Sequence, residues 1–284
     1  MILGPTASGK SSLAIKLAQA TSGEVISADS RQVYKGLDIG SGKITKREMK
    51  GVPHHLLDIT SPKKVFNAAQ FQKLGQDKVE EIIKRGKVPI VCGGTGFYIQ
   101  ALVDSLVFPD VPPNKKLREQ LERKSTQELA TLLKKLDLRR YKTIDINNRP
   151  RLIRAIEIAQ ALGKVPKVTK ADSPFETLFI GVNPKEAELE KKIHERLHAR
   201  LRKGMIREVE HLRSSGISWK RLESFGLEYR EIARFLQSKI SKKDMIAQLE
   251  NEINQFSKRQ MTWFKRDERI RWFHPKDWAK IKKT

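Results

Sequence analysis

Apolar and polar residues follow one another along the first hundred residues in blocks that predict alternating strands and helices. Three apolar residues open the chain, and residues 12–20 carry apolar side chains at helical spacing. Residues 24–28 and 88–92 are short apolar runs typical of buried strands, and 71–85 has a helical pattern that ends at Gly86. Strands and helices in alternation predict right-handed crossovers and a parallel sheet.

The pattern changes after a linker at 108–113. From residue 114 to about 162 the pattern is helical and basic, without a strand candidate. Residues 178–182 again have the pattern of a strand, and the chain is then helical to about residue 264, with turns near Gly216 and Gly226. The simplest interpretation is a helical insertion inside an α/β core.

A complete phosphate-loop motif lies between the first predicted strand and the first helix. The segment GPTASGKS at 4–11 fits G-x-x-x-x-G-K-[ST]. Its glycines let backbone N–H groups face an anion, Lys10 adds a positive charge, Ser11 can bind Mg²⁺, and the helix presents its positive end. The loop predicts a phosphate site, but ATP, GTP and a diphosphate ester offer it the same oxygens. The strand before it has only three residues, so we expect the natural chain to begin upstream.

These patterns together predict an α/β fold: a P-loop NTPase-like core with a parallel sheet, and an all-helical insertion domain. We place the catalytic core at 1–111 and 173–284, and the insertion at 112–172. Gly163 and two prolines, the second of them Pro174, mark the end of the helical pattern.

Two further candidate features follow predicted strands, where parallel sheets bind ligands. Asp29 follows the second strand, where a carboxylate can act as a base or anchor Mg²⁺; the alternative is a turn or helix-cap aspartate. The strand at 88–92 ends without the aspartate with which a typical NTPase holds Mg²⁺. A GGTG loop at 93–96 follows instead, which either brings backbone and a hydroxyl close to a ligand or is a plain turn.

The net charge of the chain favours a large anionic ligand over a small one. The chain has 57 Lys and Arg against 33 Asp and Glu, a formal charge of +24. Such an excess favours nucleic acid as a partner, with a general solubility charge as the alternative. No apolar run approaches the roughly 20 residues that span a bilayer, and no signal peptide is evident. Cys92 is the single cysteine, which excludes an internal disulfide. From the cysteine count and the lack of a membrane span or signal peptide, we expect a cytoplasmic protein that does not bind membranes.

Six segments together match one family. They are GPTASGKS at 4–11, DSRQVYKGLDIGSGK at 29–43, VPHHLLDI at 52–59, CGGTGFYI at 92–99, RPRLIRAIEI at 149–158 and FSKRQMTWFKR at 256–266. On these segments the chain resembles, along nearly its whole length, the bacterial tRNA dimethylallyltransferases, also called isopentenyl-tRNA transferases. The phosphate loop is shared with many families, whereas DSRQVY, PHHLLD and KRQMTWF together are specific. Two segments depart from the family pattern: D-I-G-T-A-K is DIGSGK here, and G-Y-[KR]-E is GLEYRE.

The resemblance implies a reaction and a set of partners. A dimethylallyl group passes from dimethylallyl diphosphate to N6 of the adenosine 3′ to the anticodon in tRNA, and diphosphate leaves. By the same resemblance Asp29 is the general base, while Thr95 and Arg196 lie at the diphosphate. Mg²⁺ is the implied cofactor, with Ser11 as a ligand. The implied partners are the tRNA anticodon stem-loop and dimethylallyl diphosphate, and we expect a monomer.

The resemblance also implies two larger sets of contacts. The residues expected to bind the diphosphate are those of the phosphate loop: Gly4, Thr6, Ala7, Ser8, Gly9, Lys10 and Ser11. The residues expected to contact tRNA are Asp29, Ser30, Arg31, Gln32, Arg118, Arg151, Arg154, Lys258, Arg259 and Gln260.

Three other functions stay open on the residues alone. A small-molecule kinase would not need a charge of +24. A nucleic-acid ATPase should carry the missing aspartate and a second motor domain. A prenyltransferase that uses free adenine nucleotides would share the chemistry. The basic insertion and the KRQMTWF segment favour tRNA.

Four ring side chains have both a structural and a functional interpretation. We assign His54 and His55 to support of a turn, because the site already has a base in Asp29. We assign Trp263 and Phe264 to packing of the last helix, in preference to base stacking.

Overall fold

The computed structural model describes residues 1–173 and 175–283, and the chain divides into two compact units. Unit 1 comprises Met1–Ser105 and Ser173–Thr284, and unit 2 comprises Leu106–Asp172. Unit 2 thus begins at Leu106 and not at the predicted residue 112. Pro174, which the sequence pattern placed at the end of the insertion, lies outside the described residues.

The strands form one sheet in unit 1 and a small ribbon in unit 2. In chain order they are β1 (Ile2–Leu3), β2 (Glu24–Ala28), β3 (His54–His55), β4 (Pro89–Gly93), β5 (Leu106–Val107), β6 (Thr169–Lys170), β7 (Phe179–Val182) and β8 (Ile270–Phe273). Six of them pair in the order β3-β2-β4-β1-β7-β8, and every pairing is parallel. This confirms the predicted α/β class with a parallel sheet.

The helices surround this sheet and build unit 2. They are α1 (Lys10–Thr21), α2 (Lys46–Met49), α3 (Ala68–Lys84), α4 (Gly96–Val103), α5 (Lys115–Glu122), α6 (Thr126–Leu136), α7 (Leu138–Tyr141), α8 (Arg149–Leu162), α9 (Glu186–Arg202), α10 (Met205–Ser214), α11 (Trp219–Ser224), α12 (Leu227–Leu236), α13 (Lys242–Phe264) and α14 (Trp278–Lys282). Among the described residues, these helices are too short or too polar to cross a membrane.

Alternation of side chains along the strands explains why both faces of the sheet are covered. Ile2 and Ile90 belong to the apolar cluster that includes α1, whereas Leu3 and Val91 belong to the cluster that includes α3 and α4. Phe264, at the end of α13, is buried in the second cluster, as the packing interpretation predicted. A third cluster joins α9 to α13.

The two neighbouring histidines form β3 and support the edge of the sheet. The His55 Nε2 atom lies 2.6 Å from a Glu24 carboxylate oxygen, and Arg85 and Lys87 contact the same carboxylate. Burial raises the pKa of Glu24, but these hydrogen bonds outweigh it and lower the pKa to about 2. The structural interpretation of His55 is therefore supported.

Unit 2 is a small helical body with its own core. Leu129 and Leu133 of α6 pack on Leu152 and Ile156 of α8, and all four are buried. The predicted helical character is confirmed, and the structure adds the short antiparallel ribbon of β5 and β6.

Candidate active site

The phosphate loop connects β1 to α1 in a conformation that depends on glycine. Gly4 has φ of 150°, and a Cβ there would lie 2.4 Å from the carbonyl oxygen of Val182. Gly9, just before α1, has φ of 93°. The hydroxyl of Ser8 is buried and has no hydrogen-bond partner among the described residues. A buried donor without a partner, beside a helix N-terminus, suits an anionic ligand.

The Lys10 side chain points back over this loop, and little negative charge offsets its ammonium group. Its Nζ donates a hydrogen bond to the carbonyl oxygen of Pro5 at 3.0 Å. The pKa of Lys10 is lowered to about 8, chiefly by burial and also by the nearby Arg196, while Asp29 acts in the opposite sense. Burial also raises the pKa of Cys92 to about 11, so that this neighbouring thiol is neutral at pH 7. Lys10 is therefore placed to gain from a bound anion.

Asp29 lies in the turn that follows β2. Its Oδ1 accepts hydrogen bonds from the backbone N–H groups of Arg31, at 2.8 Å, and Gln32, at 3.3 Å. This is the turn geometry that the sequence left open as an alternative. The structure records no hydrogen bond to Oδ2 among the described residues, so the turn leaves one carboxylate oxygen available for chemistry.

Thr95 joins the ends of β4 and β2. Its hydroxyl oxygen accepts a hydrogen bond from the Ser30 N–H at 3.0 Å, and its own N–H donates to the carbonyl of Ala28 at 3.2 Å. Thr95 is thus held beside the Asp29 turn. The GGTG loop thus contacts the turn after β2, and no carboxylate replaces the missing aspartate within it; its approach to a ligand stays a prediction.

Gln260 of α13 joins two of these loops. Its side-chain oxygen accepts the N–H of Thr6 at 2.8 Å, and its side-chain nitrogen donates to the Gly94 carbonyl at 2.8 Å. The side chain is buried and both ends of its amide are engaged. The structure therefore gives Gln260 a positioning role within the protein, and its contact with tRNA stays a prediction.

Replacing Gln260 with Ala should lower the free energy of unfolding by about 1–3 kcal/mol, because the Thr6 N–H and the Gly94 carbonyl lose their partner. It should also weaken binding of inorganic diphosphate. Chemical denaturation and calorimetric titration measure the two effects. The matched control is Gln255→Ala, an exposed glutamine on the same helix, which should change neither. A Gln260→Ala protein as stable as the control would remove the positioning role.

Two arginines of α9 extend the positive charge of the site. A Cβ on Gly42, whose φ is 61°, would lie 1.6 Å from an Arg200 nitrogen and 2.3 Å from an Arg196 nitrogen. Both guanidinium groups therefore crowd against residue 42, where the family pattern has alanine. Arg200 donates to the Gly40 carbonyl and pairs with Glu228, each at 3.2 Å.

Arg196 has no comparable partner. The structure records no hydrogen bond or ion pair for its guanidinium among residues 1–173 and 175–283. Burial lowers the pKa of Arg196 to about 10, and the positive charge of Arg200 adds to this effect. Arg200 also lowers the pKa of Lys10. Three cations that repel one another in this way would be stabilised by a bound anion. The sequence prediction missed Arg200, although it lies one helical turn after Arg196 on the same side of α9.

Tyr229 and Glu208 hold the loop that covers these arginines. The Glu208 carboxylate accepts the N–H groups of Asp38, Ile39 and Gly40 at 2.6–3.0 Å. The hydroxyl of the buried Tyr229 donates to Glu208 at 2.9 Å. Tyr229 thus supports the site from inside the protein.

The remaining predicted tRNA contacts of unit 1 differ in how far they are engaged. Arg31 donates through Nε to the Phe225 carbonyl at 2.5 Å, and Gln32 donates to the Gly42 carbonyl at 3.3 Å. Lys258 forms an exposed ion pair with Glu186 at 3.1 Å. The Arg259 side chain is exposed.

In unit 2, two of the predicted tRNA contacts hold a buried carboxylate. Arg118 contacts both oxygens of Glu157 at 2.9 and 2.7 Å, and Arg154 contacts the second. Burial raises the pKa of Glu157, but the hydrogen bonds from Arg118, Asn114 and Arg154 outweigh it and lower the pKa to about 2. The side chain of Arg151 is exposed and forms no such pair among the described residues.

Comparison with known proteins shows which family the chain belongs to. Residues 32–267 match the IPP transferase family. A tRNA dimethylallyltransferase 1 of Geotalea uraniireducens is 44% identical over 270 residues, covering 95% of this chain and 88% of the relative. A tRNA dimethylallyltransferase 1 of Syntrophus aciditrophicus is 44% identical over 290 residues, covering 99% and 95%.

Solved structures of similar proteins support the same family assignment. The tRNA isopentenylpyrophosphate transferase of Bacillus halodurans superposes with a TM-score of 0.75 at 34% identity, covering 99% of this chain and 92% of that one. A eukaryotic dimethylallyltransferase acting on tRNA superposes with a TM-score of 0.78 at 27% identity, covering 98% and 74%. The chain therefore belongs to the IPP transferase family and is a prenyl-transferring enzyme.

Proposed function

We propose that the enzyme transfers a dimethylallyl group from dimethylallyl diphosphate to N6 of the adenosine 3′ to the anticodon in tRNA, and releases diphosphate. The observation that carries the proposal is that a cluster of positively charged side chains lies near a carboxylate. Lys10 of the phosphate loop lies within electrostatic reach of Arg196 and Arg200, and Asp29 lies within reach of Lys10 and Arg196. The similar proteins are named tRNA dimethylallyltransferases, and the proposed donor group and acceptor follow from those names.

Charge on the leaving group is the first requirement of this reaction. As the bond between the allylic carbon and oxygen breaks, negative charge grows on the diphosphate. Lys10 lies in the phosphate loop and Arg196 lies within its electrostatic reach, so the two side chains stabilise that charge with little reorganisation. Arg196 suits this role because the structure gives it no other partner among the described residues.

The acceptor must lose a proton. An adenine N6 amine is a weak nucleophile, and its proton becomes acidic only as the new C–N bond forms. The free Oδ2 of Asp29 is the oxygen that takes this proton, while Oδ1 stays in its two backbone hydrogen bonds. A base within a folded anticodon loop has to leave its stack to reach such a pocket.

Mg²⁺ is part of the proposal, and the residues present fit it. Mg²⁺ prefers oxygen ligands and keeps several waters. Ser11 is an exposed residue with a hydroxyl oxygen at the start of α1. Ser11 would hold the ion, which would add positive charge beside the diphosphate.

One incubation tests the proposal against its rivals. Purified protein, Mg²⁺ and dimethylallyl diphosphate are mixed with an anticodon stem-loop or with AMP, and nucleosides are analysed by mass spectrometry. A parallel reaction with ATP and small alcohols measures phosphate release. We expect a mass gain on one loop adenosine and little change with AMP or ATP. Without a gain on RNA, prenylated AMP would favour a prenyltransferase of free nucleotides, and phosphate release from ATP would favour a kinase or an ATPase; either result would reject the proposal.

We further propose that unit 2 binds tRNA phosphates, partly through Arg151. Each phosphate contact contributes about 0.7–0.9 to the slope of log binding constant against log salt. Arg151→Gln should therefore flatten the slope by that amount. Lys73→Gln, which removes an exposed charge from α3, should leave it unchanged. Filter binding of the stem-loop at several salt concentrations measures both, and equal slopes in the two variants would argue against the Arg151 contact.

A further inference from the structure

Helix α9 carries two histidines one turn apart. His194 and His198 begin and end the segment His194-Glu195-Arg196-Leu197-His198. Residues four apart in a helix lie on the same face, so both imidazoles leave α9 together. Arg196 is two residues from each, about 200° around the helix, and therefore faces the other way. The histidine pair is thus separate from the catalytic cluster.

Glu250 of α13 completes a group of three ligands. The His194 Nδ1 atom lies 2.7 Å from a Glu250 oxygen, and the two imidazole rings are 4.4 Å apart. One ligand atom from each of the three residues lies within 4.8 Å of the other two. Ligands of a tetrahedral zinc ion lie about 3.4 Å apart, given Zn–N bonds of about 2.0–2.1 Å. Small rotations of these surface side chains bring the ligand atoms from within 4.8 Å of one another to the spacing that zinc needs.

We propose that His194, His198 and Glu250 bind one divalent transition-metal ion, and that Zn²⁺ fits them best. Two imidazole nitrogens and one carboxylate oxygen are a donor set that zinc takes in proteins, with water as the fourth ligand. Imidazole donors disfavour Mg²⁺ and Ca²⁺, which prefer oxygen. This site is independent of the proposed prenyl transfer and of its Mg²⁺.

The ion holds two helices together. Leu189, Ile193 and Leu197 of α9 belong to one buried cluster with Leu249 and Ile253 of α13. The metal site lies at the outer edge of the same helix pair, where His194 and Glu250 are partly exposed. Because α9 supplies Arg196 and α13 supplies Gln260, this clamp steadies two elements that build the active site.

The H-E-x-x-H segment is also the zinc motif of metallopeptidases, in which the glutamate acts as a base. Here Glu195 is exposed and pairs loosely with the exposed Lys191 at 4.0 Å. The group lies at the exposed edge between α9 and α13, where an ion would join the two helices. The role assigned to the ion is therefore structural.

The test uses untagged full-length protein stripped of metal with a chelator. We expect titration calorimetry to show one Zn²⁺ bound per chain, and Co²⁺ to give the visible absorption of a tetrahedral ion. His198→Gln should weaken Zn²⁺ binding at least tenfold and abolish the Co²⁺ spectrum. The control His211→Gln, an exposed histidine on α10, should bind as the parent does.

Thermal unfolding supplies a second measurement. Zn²⁺ should raise the Tm of the parent and of His211→Gln, since a ligand that binds only the folded state stabilises it. It should raise the Tm of His198→Gln by less at the same Zn²⁺ concentration. Absence of Zn²⁺ binding by the parent, or equal binding by a His194→Gln/His198→Gln double variant, would overturn the site.

Discussion

Asp29→Asn should lower the single-turnover rate of prenyl transfer by roughly 10²–10⁴, the range typical of a lost general base. The asparagine oxygen can still accept the N–H groups of Arg31 and Gln32, so the turn and both binding sites should survive. The amide cannot take the N6 proton. Rapid mixing of saturating enzyme, dimethylallyl diphosphate and labelled stem-loop measures the rate of the chemical step directly.

Two controls separate the base from other roles of a carboxylate. Asp77→Asn, an exposed aspartate on α3, should react at the parent rate. If Asp29 acted only as a ligand of Mg²⁺, the rate of Asp29→Asn would recover at high Mg²⁺, whereas loss of a base is independent of Mg²⁺. Recovery at high Mg²⁺, or a rate near that of the parent, would remove Asp29 from the base role.

Strong local signals explain which parts of this fold the sequence could predict. The strands β2, β4 and β7 are short apolar runs buried on both faces, and such runs stand out in any reading of the chain. The phosphate loop is recognisable because Lys10 and the glycines have to occupy fixed positions around an anion. These elements set the carboxyl edge of the sheet, where Asp29 and Thr95 were expected.

The edge strands carried no such signal. β3 consists of His54 and His55, two half-buried polar residues that pair with the distant Val25 and Ile26 of β2. β8 has an exposed Arg271 within four residues, and it is a strand because β7 offers it a partner. Sheet edges are defined by their neighbours more than by their own composition, so a local pattern could not find them.

The positioning residues were missed for a related reason. Gln260 acts on Thr6, 254 positions away in the chain, and Arg200 acts on Gly40, 160 positions away. Nothing beside either residue in the sequence indicates these partners. The resemblance did point to the segment that contains Gln260, but a motif does not say which way a residue faces, so it could not indicate the contacts with Thr6 and Gly94.

Lys10→Ala should abolish turnover and leave the affinity for tRNA nearly intact. Lys10 sits inside the phosphate loop with Arg196 and Arg200 as its charged neighbours. Its removal takes away a charge that stabilises the leaving diphosphate, and electrostatic groups of this kind usually contribute most to such a reaction. Single-turnover kinetics and filter binding of the stem-loop measure the two properties separately. Lys16→Ala, an exposed lysine two turns along α1, serves as the control and should keep both.

The pH dependence of binding identifies the charge responsible. Since the pKa of Lys10 is lowered to about 8 in the free enzyme, the ammonium is charged at pH 7 and loses its proton as the pH rises through 8. An anion binds the charged form, so the affinity for inorganic diphosphate should fall above pH 8 in the parent and in Lys16→Ala. In Lys10→Ala the affinity should be weak at pH 7 and change little between pH 7 and 9. Calorimetric titration at several pH values measures this, and a parallel fall in Lys10→Ala, or a matching loss of tRNA affinity, would show that Lys10 does not serve the diphosphate.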